Sequence, residues 1–197
     1  MNVKEFARAV IDALEAAGVE YMIGGSLALA AWGEARSTQD VDVVVSLGSV
    51  DMPALSHELE KRGMLVPVDI MQQWLDERRA DIPINAIHMH SSFKAELFLL
   101  KLGDDLRLQA LARRQLTDLG PPIGQVYVHS PEDLIIYKIR FYNTSRQTKH
   151  VRDIASILFA QNEALDIDYI DRWVAKLGCQ DAWVEIIESL PGPNVGS

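Results

Sequence analysis

The amino-acid sequence predicts an α+β fold, in which a mixed β-sheet is flanked by helices and followed by a helical C-terminal part. Short apolar segments typical of strands recur through the first two thirds of the chain, and segments with helical spacing lie between them. The last third is dominated by helical patterns. A chain of 197 residues can bury a sizeable core in one domain with a helical appendage.

The first half of the chain is predicted to alternate helices and short strands. Apolar residues at helical spacing predict a helix over residues 3–17 that ends at Gly18. A strand over residues 21–23 leads into Gly24-Gly25, and Ser26 is predicted to cap a second helix that runs to about Trp32. The remaining predicted elements of this half are a polar loop (34–39), a buried strand (41–46), a helix (51–62) ended by Gly63, and a helix (71–79) with Pro83 marking its end.

The second half is predicted to contain a hairpin, a long helix and a helical end. Two strand-like segments, residues 84–90 and 93–100, flank Ser91-Ser92. A helix over residues 104–119 is expected to end at Gly120-Pro121-Pro122, and a strand over residues 125–129 follows. Ser130, Pro131 and Asp133 form a typical helix start, after which three helices are predicted up to about Leu190. We therefore predict a core over residues 1–129 and a helical part over residues 130–197, with a flexible tail at residues 191–197.

Composition and charge restrict the classes of protein to consider. Cys179 is the only cysteine, which excludes an intramolecular disulfide and a cysteine-based zinc site. No segment approaches the roughly 20 apolar residues that span a bilayer, and the first residues lack a signal-like pattern, so we expect a cytoplasmic protein with no membrane partner. A net charge of −9 disfavours a broad nucleic-acid surface. Residues 134–152, however, contain no acid and five basic residues, a local patch suited to a polyphosphate: Lys138, Arg140, Arg146, Lys149 and Arg152.

Two short motifs, thirteen residues apart, carry most of the functional information. Gly25-Ser26 lies at the predicted strand-to-helix turn, where glycine permits close approach of a ligand and a helix N-terminus offers amides to an anion. Asp40 and Asp42 begin an apolar run, and residues two apart in a strand face the same side. Two adjacent carboxylates favour a cation between them, and near a phosphate-binding turn divalent ions are the usual choice. Taken singly, the motifs also fit a tight turn with a capping serine and a pair of solvated acids.

Glu96 is the candidate for a third carboxylate. It lies in an otherwise apolar predicted strand, where a glutamate is costly unless it is paired or binds a metal ion. Lys94 is two residues away on the same face, so an ion pair between Lys94 and Glu96 is the structural alternative. Asp69 is a rival third acid, but its surroundings are predicted to be helical, and Glu96 is therefore preferred.

In their order and spacing these motifs resemble the DNA polymerase β-like nucleotidyltransferase superfamily. Gly25-Ser26 and Asp40-Val41-Asp42 match its first motif pair, and Ser92-Phe93-Lys94-Ala95-Glu96-Leu97-Phe98 is similar to its small-hydrophobic-Lys-hydrophobic-Asp-hydrophobic strand. More narrowly, the chain resembles the minimal and AbiEii-like nucleotidyltransferases, some of which are toxins of toxin–antitoxin pairs. The resemblance covers about residues 20–160. The third acid, usually aspartate in the family, is Glu96 here.

The resemblance implies transfer of a nucleoside monophosphate from an NTP to a hydroxyl acceptor. Asp40, Asp42 and Glu96 would bind two Mg2+ (or Mn2+) ions, and Glu96 is also the candidate general base. Gly25 and Ser26 would bind the phosphates of the nucleotide. The reaction would then rest on positioning and charge stabilisation rather than on a covalent intermediate.

The resemblance also extends to a helical region with a lysine followed by an aspartate. Residues 130–138 and 146–153 match that region, which assigns Lys138 to the nucleotide phosphates. Asp153 would then orient Lys138 or a water bound to the metal. The alternative for Lys138 is a solvated or snorkelling lysine on an amphipathic helix.

The acceptor stays open at the level of sequence. A tRNA 3′ end, a protein hydroxyl and a small molecule such as an antibiotic all fit, and a toxin would imply an antitoxin protein as partner. The alternative function is a catalytically degenerate nucleotidyltransferase fold that binds a nucleotide or a protein partner, since Glu96 departs from the family pattern. A dinucleotide-binding fold is disfavoured because no G-x-G-x-x-G follows the first strand.

Overall fold

A mixed sheet and two groups of helices form the described part of the protein, residues 1–77 and 82–190 of a computed structural model. The chain divides into two compact units. The first comprises Met1–Ala31 and Ala35–Ser130, and the second comprises Trp32–Glu34 and the described residues from Pro131 onward. The predicted end of a helix at Arg79 and the predicted flexible tail at residues 191–197 lie outside the described residues.

The helices and strands follow one another along the chain in the order that gives them their numbers here. Up to Ser130 they are α1 (Val3–Ala16), β1 (Glu20–Ile23), α2 (Gly25–Trp32), β2 (Asp40–Ser46), α3 (Met52–Glu60), α4 (Val68–Asp76), β3 (Ile84–Ile87), β4 (Lys94–Leu99), α5 (Asp105–Ala112), β5 (Gln115–Asp118) and β6 (Gln125–Val128). After Ser130 they are α6 (Pro131–Ser145), α7 (Thr148–Gln161), a short 3-10 turn (Asn162–Ala164), α8 (Ile167–Lys176) and α9 (Gln180–Ser189).

The six strands found in the described residues form one sheet in the order β3-β4-β2-β1-β6-β5. The pairs β2–β4 and β1–β6 are parallel, and the other three pairs are antiparallel. The predicted α+β fold with a mixed sheet is therefore confirmed. Because β2 lies inside the sheet between β1 and β4, its apolar side chains Val41, Val43 and Val45 are buried.

Helix α1 shows how local sequence and packing agree in the first unit. The Asn2 side chain accepts hydrogen bonds from the backbone N–H groups of Lys4 and Glu5, and the Asn2 backbone N–H donates to the Glu5 carboxylate, which completes a capping box. The stripe of Phe6, Val10 and Leu14 is fully buried, and α1 packs on β1, β2 and α3. The predicted first helix is confirmed.

Helix α6 is the centre of the second unit, where it packs against α7, α8 and α9. It buries apolar residues such as Leu134 and Ile135 together with three charged ones, Glu132, Asp133 and Lys138. Such charges are tolerated in a core only with partners. Tyr169 Oη donates to Asp133 Oδ1 at 2.7 Å, so the buried carboxylate joins α6 to α8.

The predicted helix over residues 104–119 is wrong in its second half. Helix α5 ends at Ala112, and residues 115–118 form β5, which pairs with β6 at the edge of the sheet. Gly120 belongs to the loop of this β-hairpin, in which Leu119 N–H donates to the Gly124 carbonyl and Gly124 N–H to the Gly120 carbonyl. Pairing with β6 thus determines that residues 115–118 form a strand, although the local sequence favours a helix.

Two smaller predictions about helix starts are also corrected. Ser26 does not cap α2: Gly24 holds the cap position, since its carbonyl accepts the Ala28 N–H, and Ser26 lies buried in the first turn. Helix α4 begins directly after Pro67, three residues before the predicted start at Met71. No helix in residues 1–77 and 82–190 combines the length and the apolar character that crossing a bilayer requires.

Candidate active site

The three predicted carboxylates lie on two adjacent parallel strands. In the register of β2 and β4, Asp40 is opposite Lys94 and Asp42 is opposite Glu96. Side chains alternate along a strand, so all four point to one face of the sheet, while Val41 and Ala95 between them are buried on the other face. The fold therefore brings together two pairs of charged residues, Asp40 with Asp42 and Lys94 with Glu96, that are more than fifty residues apart in sequence.

Lys94 provides the positive charge inside this group. Its Nζ donates to Glu96 Oε1 at 2.6 Å and lies 3.8 Å from Asp40 Oδ1. The hydrogen bond to Glu96 and the negative charges of Glu96, Asp40 and Asp42 raise the pKa of Lys94, which keeps the ammonium protonated. The ion pair between Lys94 and Glu96, the structural alternative considered from the sequence, is thus present.

The glycine turn lies directly against Asp42. Gly24 N–H donates to the Asp42 carbonyl at 2.8 Å, and Gly25 adopts a φ of +55°. A Cβ atom built on Gly25 would stand 1.7 Å from Asp42 Oδ2, a separation that no side chain tolerates. Only glycine therefore allows the Asp42 carboxylate to rest against the first residue of α2.

His129 is a residue of this region that the sequence did not reveal. Its backbone N–H donates to the Ile23 carbonyl at 3.0 Å, and its buried ring lies beside Gly24, where a built Cβ would be 3.1 Å from His129 Cε1. The ring thus supports the glycine turn from the side of β6. The parallel pairing of β1 with β6 places His129 beside Gly24. This pairing joins positions about one hundred residues apart, and no local sequence pattern predicts it.

Lys138 and Asp153 belong to the second unit and contact one another. Lys138 Nζ on α6 donates to Asp153 Oδ2 on α7 at 2.6 Å, and only 5% of each side chain is exposed. A contact with Lys138, which is one of the two roles that the resemblance implies for Asp153, is therefore present. Binding of nucleotide phosphates by Lys138 stays a prediction.

The basic residues predicted to form a patch differ in their surroundings. Lys138 is buried with Asp153, and Arg146 forms an ion pair with Glu185. Lys149 and Arg152 on α7 are exposed. Asp69, the rival third acid, lies in α4, as the sequence predicted.

Asp40, Asp42 and Glu96 present carboxylate oxygens on one face of the sheet, the type of ligand that a hard divalent cation prefers. Mg2+ prefers carboxylate oxygens and a nearby phosphate, and the Asp42 carboxylate lies directly against Gly25 at the start of α2. The Lys94 ammonium shows that a cation is stable beside Asp40 and Glu96. As the side chains are placed in the described residues, no three His, Cys, Asp or Glu side chains are arranged to hold a metal ion together.

Comparison with models of known protein families and with curated proteins finds no match to the sequence. Solved structures do match. The solution structure of the antibiotic-resistance factor ANT(2'')-Ia aligns with a TM-score of 0.62 and 16% identity over 92% of this chain and 94% of that one. A nucleotidyltransferase-like protein from Paracoccidioides brasiliensis gives a TM-score of 0.52 and 17% identity, covering 91% of each chain.

The lincosamide antibiotic adenylyltransferase LnuA, bound to lincomycin, gives a TM-score of 0.50 and 13% identity over 80% of this chain and 98% of that one. At these identities the likeness concerns the fold. The chain has the fold of the nucleotidyltransferases, as the resemblance implied. The narrower resemblance to AbiEii-like proteins stays a prediction.

Proposed function

We propose that this protein is a metal-dependent nucleotidyltransferase that transfers a nucleoside monophosphate from an NTP to a hydroxyl group. The observation that carries the proposal is the contact between Gly25 and the Asp42 carboxylate, on the same face of the sheet as Asp40 and Glu96. The turn that would bind the phosphates and the three carboxylates lie next to each other there. The fold is shared with ANT(2'')-Ia and LnuA.

Residues of the first unit have separate roles in the proposed reaction, namely metal binding and phosphate binding. Asp40, Asp42 and Glu96 would hold Mg2+ or Mn2+, which supplies neutralisation of the triphosphate charge. The amides at the start of α2, from Gly25 and Ser26, bind and orient the phosphates.

Glu96 is the proposed general base. It accepts the proton of the acceptor hydroxyl, whose oxygen forms a bond to the α-phosphorus while the bond from that phosphorus to the bridging oxygen breaks. Pyrophosphate leaves with the bonding electrons.

Lys138 has a proposed role in binding the phosphates of the nucleotide, with Asp153 as its positioning partner. Support comes from the family resemblance and from the 2.6 Å contact between the two side chains. An ammonium held in one orientation is better suited to a defined phosphate position than a mobile one.

A small-molecule hydroxyl is the acceptor that the structural neighbours favour. ANT(2'')-Ia has been solved with adenylyl-2''-tobramycin, and LnuA with lincomycin. A tRNA 3′ end, a protein hydroxyl, a toxin role and an antitoxin partner gain no support from these neighbours, and the net charge of −9 disfavours RNA.

The test is pyrophosphate release from each of the four NTPs, with and without Mg2+, in the presence of a panel of hydroxylated antibiotics and of tRNA. The proposal predicts release that requires Mg2+ and one class of acceptor and that is lost in Asp42→Asn. Metal-independent release, or equal release by Asp42→Asn, would contradict it.

A second candidate function is supported by two observations. Glu96 is held by Lys94, and the described side chains contain no ready-made group of three metal ligands. A degenerate nucleotidyltransferase fold that binds a nucleotide without transferring it would show this arrangement permanently. In that case an NTP would bind without any release of pyrophosphate under the same conditions.

A further inference from the structure

The Lys94 ammonium lies among the carboxylates that are proposed to bind divalent cations. Its ammonium contacts Glu96 and lies near Asp40, and both acids point to the same face of the sheet as Asp42. Since a strand alternates its side chains, the backbone of β4 directs Lys94 toward this face. The register of the two strands thus places the lysine among the three carboxylates.

The ammonium is held by charge and not by burial. The exposed fractions of the side chains are 37% for Lys94, 45% for Asp40 and 23% for Glu96. The pair formed by Lys138 and Asp153 has the same 2.6 Å distance but only 5% exposure on each side. A partly exposed ion pair contributes little net free energy, so the Lys94 ammonium can leave toward solvent at small cost.

We propose that Lys94 competes with divalent cations for Asp40 and Glu96, so that metal binding displaces its ammonium from the carboxylates. This inference rests on the proposed function, because it takes the three acids as the metal site. It explains how Glu96 can be paired with Lys94 and still act toward a metal ion. Lys94 is a positioning residue in this account: it keeps three adjacent carboxylates together when no divalent cation is bound.

The competition has a measurable consequence for metal affinity. A cation that must displace the ammonium binds more weakly than one that meets unpaired carboxylates, because the ion pair is lost and two positive charges approach each other. Removal of the lysine charge is therefore expected to tighten metal binding by about fivefold, the upper end of what a partly exposed ion pair contributes. A purely structural lysine would leave the affinity unchanged or lower it through disorder of the acids.

The experiment titrates the full chain with Mn2+ alone. Electron paramagnetic resonance measures the concentration of free Mn2+ at each point of the titration. Lys94→Met is compared with the wild type and with Lys94→Arg, which keeps the charge. Lys94→Gln is a second neutral variant that keeps a hydrogen-bond donor for Glu96 and protects against a failure of Lys94→Met to fold. The matched control is Lys61→Met, since Lys61 also pairs with a glutamate, Glu58, at 2.8 Å but lies at the end of α3.

Competition predicts tighter Mn2+ binding in the neutral Lys94 variants, with wild-type affinity in Lys94→Arg and Lys61→Met. Equal or weaker binding in both neutral variants would overturn the inference and leave the proposed metal site standing. An absence of Mn2+ binding in every protein, including the wild type, would overturn both. Asp42→Asn in the Lys94→Gln background should lose the binding, which assigns the bound ion to these carboxylates.

Discussion

At the scale of single residues, the most constrained position of the candidate site is Gly25. Its φ of +55° and the closeness of Asp42 Oδ2 both exclude a side chain. The sequence shows a Gly-Gly pair at a turn, which predicts the unusual backbone. The reason for it, a carboxylate from β2, becomes visible only when the strands are paired.

Gly25→Ala should therefore disrupt the site as well as the backbone. The added methyl group must push the Asp42 carboxylate away, so we expect Mg2+-dependent NTP affinity to fall by tenfold or more, at the order of magnitude of a displaced metal-site group. Isothermal titration calorimetry measures this. Gly18→Ala is the control, because Gly18 has a φ of +68° with no atom near its built Cβ. It should lose about 1–2 kcal/mol of stability and keep its affinity; equal affinities in the two variants would contradict the account.

Asp42→Asn should separate the role of the carboxylate in binding from its role in stability. The amide keeps the size of the side chain but removes one of three neighbouring negative charges, so the fold should persist or gain slightly in stability. Mg2+-dependent NTP binding should be lost.

Asp69→Asn is the matched control for Asp42→Asn, since Asp69 is the exposed rival acid on α4. It should bind the Mg2+ complex of the NTP as the wild type does. Unfolding of Asp42→Asn, or unchanged nucleotide binding by it, would show that the metal site is assigned to the wrong acid.

The positions of site residues could be predicted from the sequence where they follow from the alternation of side chains within one strand. Alternation along one strand is enough to place Asp40 beside Asp42, and the spacing of two places Lys94 beside Glu96. His129 had no such signal, because its position depends on the pairing of β1 with β6. The packing of Gly25 against Asp42 depends in the same way on two separate elements.

At the scale of helices and strands, local propensity and long-range pairing gave different answers at residues 104–119. The stretch that forms α5 has good helix-forming residues, and nothing in Gln115-Leu116-Thr117-Asp118 alone outweighs a continued helix. Hydrogen bonds to β6 decide for a strand. The elements predicted correctly, such as α1, combine a capping motif with a full apolar stripe and need no distant partner.

The ion pair between Lys138 and Asp153 is an element-scale contact, because it joins α6 to α7 inside the second unit. Removal of one partner leaves the other charge buried, so Lys138→Met or Asp153→Leu alone should cost about 3–5 kcal/mol in the free energy of unfolding. The double variant should recover much of that loss, because both charges are gone.

Urea denaturation of the single and double variants measures these differences. Arg146→Met is the control: Arg146 pairs with Glu185 at the surface, and its loss should cost no more than about 1 kcal/mol. Single variants as stable as the wild type would show that the buried pair does not hold α6 and α7 together.

At the scale of the whole molecule, the fold could be predicted from the order of short motifs although identity to the matching structures is only 13–17%. Each motif in this chain meets a backbone requirement: a turn without Cβ at Gly25, and acids at alternate strand positions. The acceptor leaves no comparable trace in the sequence, because hydroxyl acceptors of very different chemistry can react in the same way.

The charge of the whole chain bears on the acceptor. With a net charge of −9, and with Arg146 engaged by the Glu185 carboxylate, the protein should not bind tRNA at about 0.15 M salt. A gel-shift titration up to about 10 µM protein, the middle of the usual range of non-specific dissociation constants, should show no complex. A complex at micromolar protein that weakens steeply with salt would favour an RNA acceptor over a small molecule.

The central claim, that Asp40 and Asp42 form a donor site for a metal–triphosphate complex, is tested most directly by thermal melting with each of the four NTPs, with and without Mg2+. At a ligand concentration one hundred times the dissociation constant, the account predicts a rise in melting temperature of about 5–10 °C that requires both Mg2+ and the triphosphate. The rise should be absent in Asp40→Asn. No shift with any NTP, or a shift that survives in Asp40→Asn, would contradict the claim.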